Sequence, residues 1–226
     1  MARFALVTFD VYSALFDIAG SLTGKLREMS SLEEQDATAA FQLWRAKQME
    51  RAALSNSLGL GRTSFREATR QALRYVERRY MLALTEEQSR ELLMAWDRLT
   101  PWPEAPAVLE ALKLRGYALA ILSNGDKDML TALAGVLPVR FDHIFSSEEA
   151  GAYKPHPDVY ALPGRALGIG PQAILHVAGG TNDALGAVAA GLPCYWSNRH
   201  HDVVLDPAFA PNYDRPDLEG LLEVLP

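Results

Sequence analysis

The 226-residue chain contains a single cysteine, Cys194. One thiol forms no internal disulfide and no cysteine-rich zinc site, so neither device holds this fold together. Its setting, LPCYW, is apolar and predicts a buried, inert thiol. The five histidines do not fall at metal-ligand spacing. No basic stripe interrupts a formal net charge of −6, which argues against a nucleic-acid partner. No apolar run approaches the roughly 18 residues of a membrane span. The opening MARFALVTFD lacks a basic segment followed by a cleavage site. A soluble cytoplasmic protein with no membrane partner is the expectation. Repeats and low-complexity tracts are also missing. Gly59-Leu-Gly61 is no dinucleotide loop, because no strand precedes it.

What is present changes rhythm along the chain. RFALVTF (3–9) reads as a short buried strand that stops at Asp10. From about 16 to 99 the sequence reads as helices. Start signals stand at Ser31-Leu-Glu-Glu34, Ser64-Phe-Arg-Glu67 and Thr85-Glu-Glu-Gln88, each with the spacing of a capping box. Aromatic and aliphatic residues at helical spacing in this block read as packing core. Thr100-Pro-Trp-Pro-Glu104 is a proline-punctuated junction. Beyond it strands and helices alternate: strands at 117–123, 143–147, 173–179 and 192–197, helices at 106–115, 127–137, 158–167 and 183–190. Pro163 and Gly164 are expected to kink or interrupt the third of these helices. Alternation of this kind implies a parallel sheet covered on both faces. The expected fold is α/β: a Rossmann-like parallel-sheet core from 1–15 and 100–226, with an all-helical domain, 16–99, inserted after the first strand.

In open parallel sheets the site lies at the carboxyl ends of the strands. The polar residues there are Asp10, then Ser123-Asn124-Gly125, then Tyr153-Lys154-Pro155, then Gly179-Gly180-Thr181-Asn182-Asp183. Four loops thus offer a nucleophile-sized carboxylate, a hydroxyl, an ammonium and a second carboxylate, which is a workable set for covalent catalysis. Read singly, each has a plainer account: turn residues at Asp10, Ser123 and Asn124, a loop lysine at Lys154, a helix N-cap at Asp183.

Taken together with FDVYSALFD (9–17), LWRAKQMERAALSNSLG (43–59), ILSNGD (121–126), YKPHPDVY (153–160) and WSNR (196–199), these residues resemble the haloacid dehalogenase superfamily of hydrolases, and within it the L-2-haloacid dehalogenases. The resemblance spans nearly the whole chain and makes the helical insert a cap. It implies a mechanism in which Asp10 attacks the Cα of a 2-haloacid, halide departs, and water hydrolyses the ester to a 2-hydroxy acid. It assigns Arg45 and Asn124 to the halide, Ser123 to the substrate carboxylate, Lys154 to the orientation of Asp10, and Asp183 to Lys154 and the water. Tyr12, Met49, Phe65 and Trp196 would wall the reacting carbon, with Tyr160 near Lys154. A small anionic substrate and a homodimer are further implications.

Tyr12 stands where phosphatases of this superfamily usually carry a second acid, which protonates an alkoxide leaving group. Halide is already a stable anion and needs no proton. The acidic loop offers only Asp183, so no metal and no cofactor are expected; magnesium belongs to the alternative of a phosphatase acting on a small organophosphate. A non-catalytic anion-binding domain is the other alternative. It is motivated by departures from the family pattern: Ser13-Ala14 where Gly-Thr is usual, and Ala178 and Gly180 where Ser and Asn usually aim the water. Ser13, Thr181 and Asn182 are the neighbouring donors that stand to replace them.

Overall fold

The computed structural model describes residues 4–59 and 61–226; Arg3, the expected start of the first strand, and Leu60 lie outside these. The elements run β1 (Leu6–Phe9), a π-helical turn (Val11–Leu15), β2 (Phe16–Asp17), α1 (Ile18–Ser30), α2 (Glu34–Ser57), α3 (Phe65–Tyr80), α4 (Glu86–Met94), β3 (Thr100–Pro101) and α5 (Ala105–Leu114). They continue with β4 (Leu119–Ser123), α6 (Lys127–Ala134), β5 (His143–Ser146), α7 (Ser147–Ala150), α8 (Pro157–Leu167), β6 (Ile174–Ala178), α9 (Thr181–Ala189), β7 (Cys194–Ser197), β8 (Tyr213–Arg215) and α10 (Leu221–Val224). The chain divides into two compact units: one reaches to Phe16 and resumes at Pro101, and the other is Asp17–Thr100.

The first unit is a six-stranded sheet in the order β5-β4-β1-β6-β7-β8, parallel throughout. β1 is central because all four of its side chains are buried; each such apolar residue contributes roughly 1.5–3 kcal/mol. The sheet grows from β1 to β4 and β5 on one side, then to β6, β7 and β8 on the other. The switch point of a doubly wound sheet therefore falls at β1, where Asp10 emerges. β8 is an addition that the sequence did not announce; only three residues long, it pairs with β7.

The second unit is helical. Trp44 of α2 is fully buried, donates its indole N–H to the Thr69 carbonyl at 2.9 Å, and meets Trp96 edge to face at 5.6 Å. Two of the three expected helix starts hold. Ser64 caps α3 by accepting from Glu67 N at 3.1 Å, and Thr85 with Gln88 closes a full capping box on α4. The third does not. Ser31 adopts φ 56° and ends α1, while α2 begins beyond Glu33 without a side-chain cap. A further correction concerns Asp183, which lies in the first turn of α9 and not at its cap; Gly180 occupies the cap. α8 runs uninterrupted through Pro163, since a proline removes only one donor from the ladder.

One glycine sets a close approach. A Cβ on Gly179, at the end of β6, would lie 2.2 Å from the Ser13 carbonyl carbon and 2.3 Å from Ala14 N. Backbone on backbone cannot yield, so Gly179→Ala should cost about 1–3 kcal/mol and lower the denaturation midpoint. Gly24→Ala on exposed α1, where a Cβ meets nothing within 4 Å, should instead stabilise by up to about 1 kcal/mol. Paired urea melts of the two variants test this; equal midpoints would remove the steric argument.

Candidate active site

The strand ends converge on one carboxylate. Asp10 follows β1 and caps the π-helical turn that comes next: its Oδ2 accepts from Ser13 N at 3.0 Å and from Ser13 Oγ at 2.9 Å. Its Oδ1 accepts from Ser123 Oγ, the last residue of β4, at 2.9 Å. Lys154 Nζ stands 3.5 Å from the same oxygen. The nucleophile candidate is thus nearly buried, with each oxygen aimed by at least one donor. Ser13 supplies the hydroxyl that the sequence places one residue away from the usual threonine.

Behind Asp10 the ammonium of Lys154 lies 3.0 and 3.1 Å from the two oxygens of Asp183. Asp183 Oδ1 also accepts from the Tyr160 hydroxyl at 2.9 Å, and Oδ2 lies 3.0 Å from His176 Nε2. Gly186 makes room for that tyrosine, since a Cβ there would lie 2.5 Å from its hydroxyl oxygen. The Lys154 loop is anchored by its backbone N–H, which donates to Asn124 Oδ1 at 2.8 Å. Burial alone would raise the Asp183 carboxyl, but the Lys154 ammonium and His176 override it and hold the group well below the usual carboxylate range. Burial lifts the Tyr160 phenol, and the Asp183 charge adds to that. The phenol therefore stays protonated and donates.

His176 is the polar member of this cluster that sequence reasoning missed. It points from the middle of β6 to the same face as Asp10, wholly buried, with Nδ1 2.9 Å from Thr8 Oγ1 and Nε2 3.2 Å from Lys154 Nζ. Burial lowers its pKa below the ordinary 6.5, the Lys154 charge lowers it further, and Asp183 opposes both. The available signal was a histidine amid a run of buried aliphatic residues, where an apolar side chain would suffice.

Of the candidates named from sequence, Asp10, Ser123, Asn124, Lys154, Tyr160 and Asp183 come together. Ser123 differs in aim, because its hydroxyl proton is directed at Asp10. Tyr12 is buried, its hydroxyl 3.9 Å from Met129 Sδ and seated over Gly125. Trp196 packs in the sheet core with Cys194 and Ala178, its indole nitrogen without a partner among the described residues. Thr181 directs its hydroxyl toward the Val203 carbonyl, and Asn182 is exposed. Arg45, Met49 and Phe65 belong to the helical unit. There Arg45 Nη1 donates to the buried Gln48 Oε1 at 2.5 Å, and its guanidinium lies 5.7 Å from the centre of the Trp96 ring. Met49 is half-buried and Phe65 fully buried.

A family model described as haloacid dehalogenase-like hydrolase matches residues 4–191. The chain is 36% identical over 220 residues to an (S)-2-haloacid dehalogenase of Pseudomonas sp. (strain YL), covering 96% of this chain and 93% of that one. It is 32% identical over 227 residues to haloacetate dehalogenase H-2 of Moraxella sp. (strain B), covering 100% and 99%. A solved structure of L-2-haloacid dehalogenase from Xanthobacter autotrophicus, with chloropropionic acid covalently bound, aligns at a TM-score of 0.85 and 29% identity over 98% of both chains.

Within the site, His176 and Asp183 tie stability to acid. His176 is depressed in the fold, so the unfolded chain binds its proton more readily, and stability falls as pH drops below 6.5. Asp183 is depressed too, and its contribution is lost only as pH falls below 3.8. Denaturant melts across this range should show two stages of loss, and His176→Phe should remove the upper one and, since His176 helps to depress Asp183, weaken the lower. A melt series in which that variant keeps the upper stage would assign it to another group.

Proposed function

The chain belongs to the haloacid dehalogenase-like hydrolases, and from that premise we propose that it hydrolyses short 2-haloalkanoic acids to 2-hydroxy acids through an ester on Asp10. The observation that carries this reading is a carboxylate fixed by Ser13, Ser123 and Lys154, followed by Tyr12 where a proton donor to an alkoxide would stand. One Asp10 oxygen attacks the substrate Cα in line with the carbon–halogen bond, the halide leaves with the bonding pair, and the carbon inverts. Three directed donors keep the nucleophile in one orientation, which shortens the search for attack geometry. Water then adds to the ester carbonyl carbon, the bond to the 2-oxygen breaks, and Asp10 returns as carboxylate.

In this reading each residue has a role. Ser13 and Ser123 aim Asp10. Lys154 offsets the charge of Asp10 and of the incoming substrate carboxylate. Asp183 and Tyr160 hold Lys154, and Asn124 holds the loop that carries it. Arg45 is the halide-receiving cation, its guanidinium placed within the helical unit by Gln48. The reaction needs no cofactor in this reading. Support comes from Lys154, whose ammonium already stands between the two carboxylates that a magnesium ion would require. Among the described residues no helix is long and apolar enough to cross a membrane. A cytoplasmic homodimer acting on a small anion completes the proposal.

Chloride release from L-2-chloropropionate should persist in chelator and vanish in Asp10→Asn. Lys154→Ala should lower kcat by about 10²–10³-fold, with the protein still folded by circular dichroism. Turnover of phosphate esters that depends on magnesium, without halide release, would move the chain to the phosphatases. Silence on both substrates with retained anion binding would make it a binding domain.

A further inference from the structure

Hydrolysis of the ester requires a group to hold the proton that the attacking water gives up. Building on that reading, we propose that His176 takes up this proton through Asp183 and returns it to the departing 2-oxygen. Asp183 is the carboxylate beside Lys154, and its Oδ2 stands 3.0 Å from His176 Nε2. The ring is equipped to hold a proton on either side, because Nδ1 faces Thr8 Oγ1 at 2.9 Å and Nε2 faces Asp183. As an imidazolium it would donate to both.

Asp183 alone is a poor resting place. Its oxygens receive the Tyr160 hydroxyl and the Lys154 ammonium, and it is held far below the usual carboxylate range. His176 offers the proton a ring nitrogen 3.0 Å away, with Thr8 Oγ1 placed to receive the N–H on the far side of the ring. Lys154 Nζ at 3.2 Å opposes the cation, and Asp183 and Asp10 favour it. Tyr160 presents its ring edge at 5.8 Å, and Cys194, paired in register on β7, is a thiol that burial keeps protonated. The side chains that usually aim the water are reduced to Ala178 and Gly180 here, so the pair Asp183–His176 is left with that task.

The atoms balance. Water gives its oxygen and one hydrogen to the ester carbonyl carbon; its other proton is taken by the Asp183 carboxylate and moves on from Oδ2 to His176 Nε2, the resting ring carrying its hydrogen on Nδ1 toward Thr8 Oγ1. The tetrahedral adduct breaks its bond to the 2-oxygen, which recovers the stored proton and leaves as the hydroxy acid. The hydrogen retained on Asp10 is released to solvent as the carboxylate re-forms. His176 touches neither substrate nor ester; it acts through Asp183 as a positioning and proton-holding residue.

Rapid mixing with L-2-chloropropionate separates the halide burst, which reports ester formation, from the slower steady state. Wild type, His176→Phe and His176→Gln should all show the burst. In both variants kcat should fall about a hundredfold, KM should fall with it, kcat/KM should hold, and the ester should accumulate on Asp10 by mass spectrometry. The acid limb of kcat, lying below the ordinary histidine value of 6.5, should be present in wild type and missing in both. Thr8→Val, which keeps the strand's β-branched shape, should shift that limb to lower pH, and it provides the test if the ring variants fail to fold. Recovery of kcat in His176→Gln would mean that the ring only positions Asp183 and would overturn the proposal, as would an unshifted limb in Thr8→Val. A wild type that incorporates no ¹⁸O into Asp10 during turnover in H₂¹⁸O would overturn the ester reading itself, a result distinct from either.

Discussion

A buried ammonium between two carboxylates governs this half of the molecule. Lys154 is 6% exposed, and its charge lies 3.5 Å from Asp10 and 3.0 Å from Asp183. Taking these charges out of water is costly, and the cost is offset only because every partner is also hydrogen-bonded. Ser13 and Ser123 satisfy Asp10, Tyr160 and the ammonium itself satisfy Asp183, and Asn124 fixes the backbone of Lys154. Remove the ammonium and two anions would face each other at low dielectric, and one would have to take up a proton. The nucleophile's charge and the architecture of four loops are therefore one problem with one solution.

The sheet solves it by direction. Parallel strands deliver their carboxyl ends to the same edge, and β1, flanked by β4 and β6, places Asp10 between the loops that carry Ser123 and Asp183. The Thr8–His176 pairing across β1 and β6 carries polar chemistry down into a layer that is otherwise aliphatic. Gly179 lets the loop after β6 lie against the backbone of Ser13, so the loop that ends in Asp183 and the turn that Asp10 caps are in contact.

Strand positions and the residues at strand ends were legible in the sequence, because short apolar runs and abrupt polar stops are local signals. Asp10, Ser123, Lys154 and Asp183 declared themselves in that way. His176 did not: a polar residue inside a buried strand carries no local mark of what it faces, and its partners come from α8, α9 and β1. Ser31 misled for a related reason. A serine three residues before a glutamate fits a capping box, yet the same serine in a left-handed conformation ends the preceding helix. The three residues of β8 lacked both length and alternation. The direction of the Ser123 hydroxyl toward Asp10 was also beyond sequence, since it depends on which neighbour is nearest in space.

Asp10 is at once the attacking group and the cap of the turn that follows it. Alkylating that carboxylate removes a full negative charge from the Ser13 amide, the two serine hydroxyls and the Lys154 ammonium. The covalent intermediate is then the state in which the loop is least well held, and the free carboxylate the state in which it is best held. The fold itself leans toward release. An enzyme whose resting geometry depends on its nucleophile being unoccupied has a thermodynamic pull toward regeneration, independent of how its water is activated.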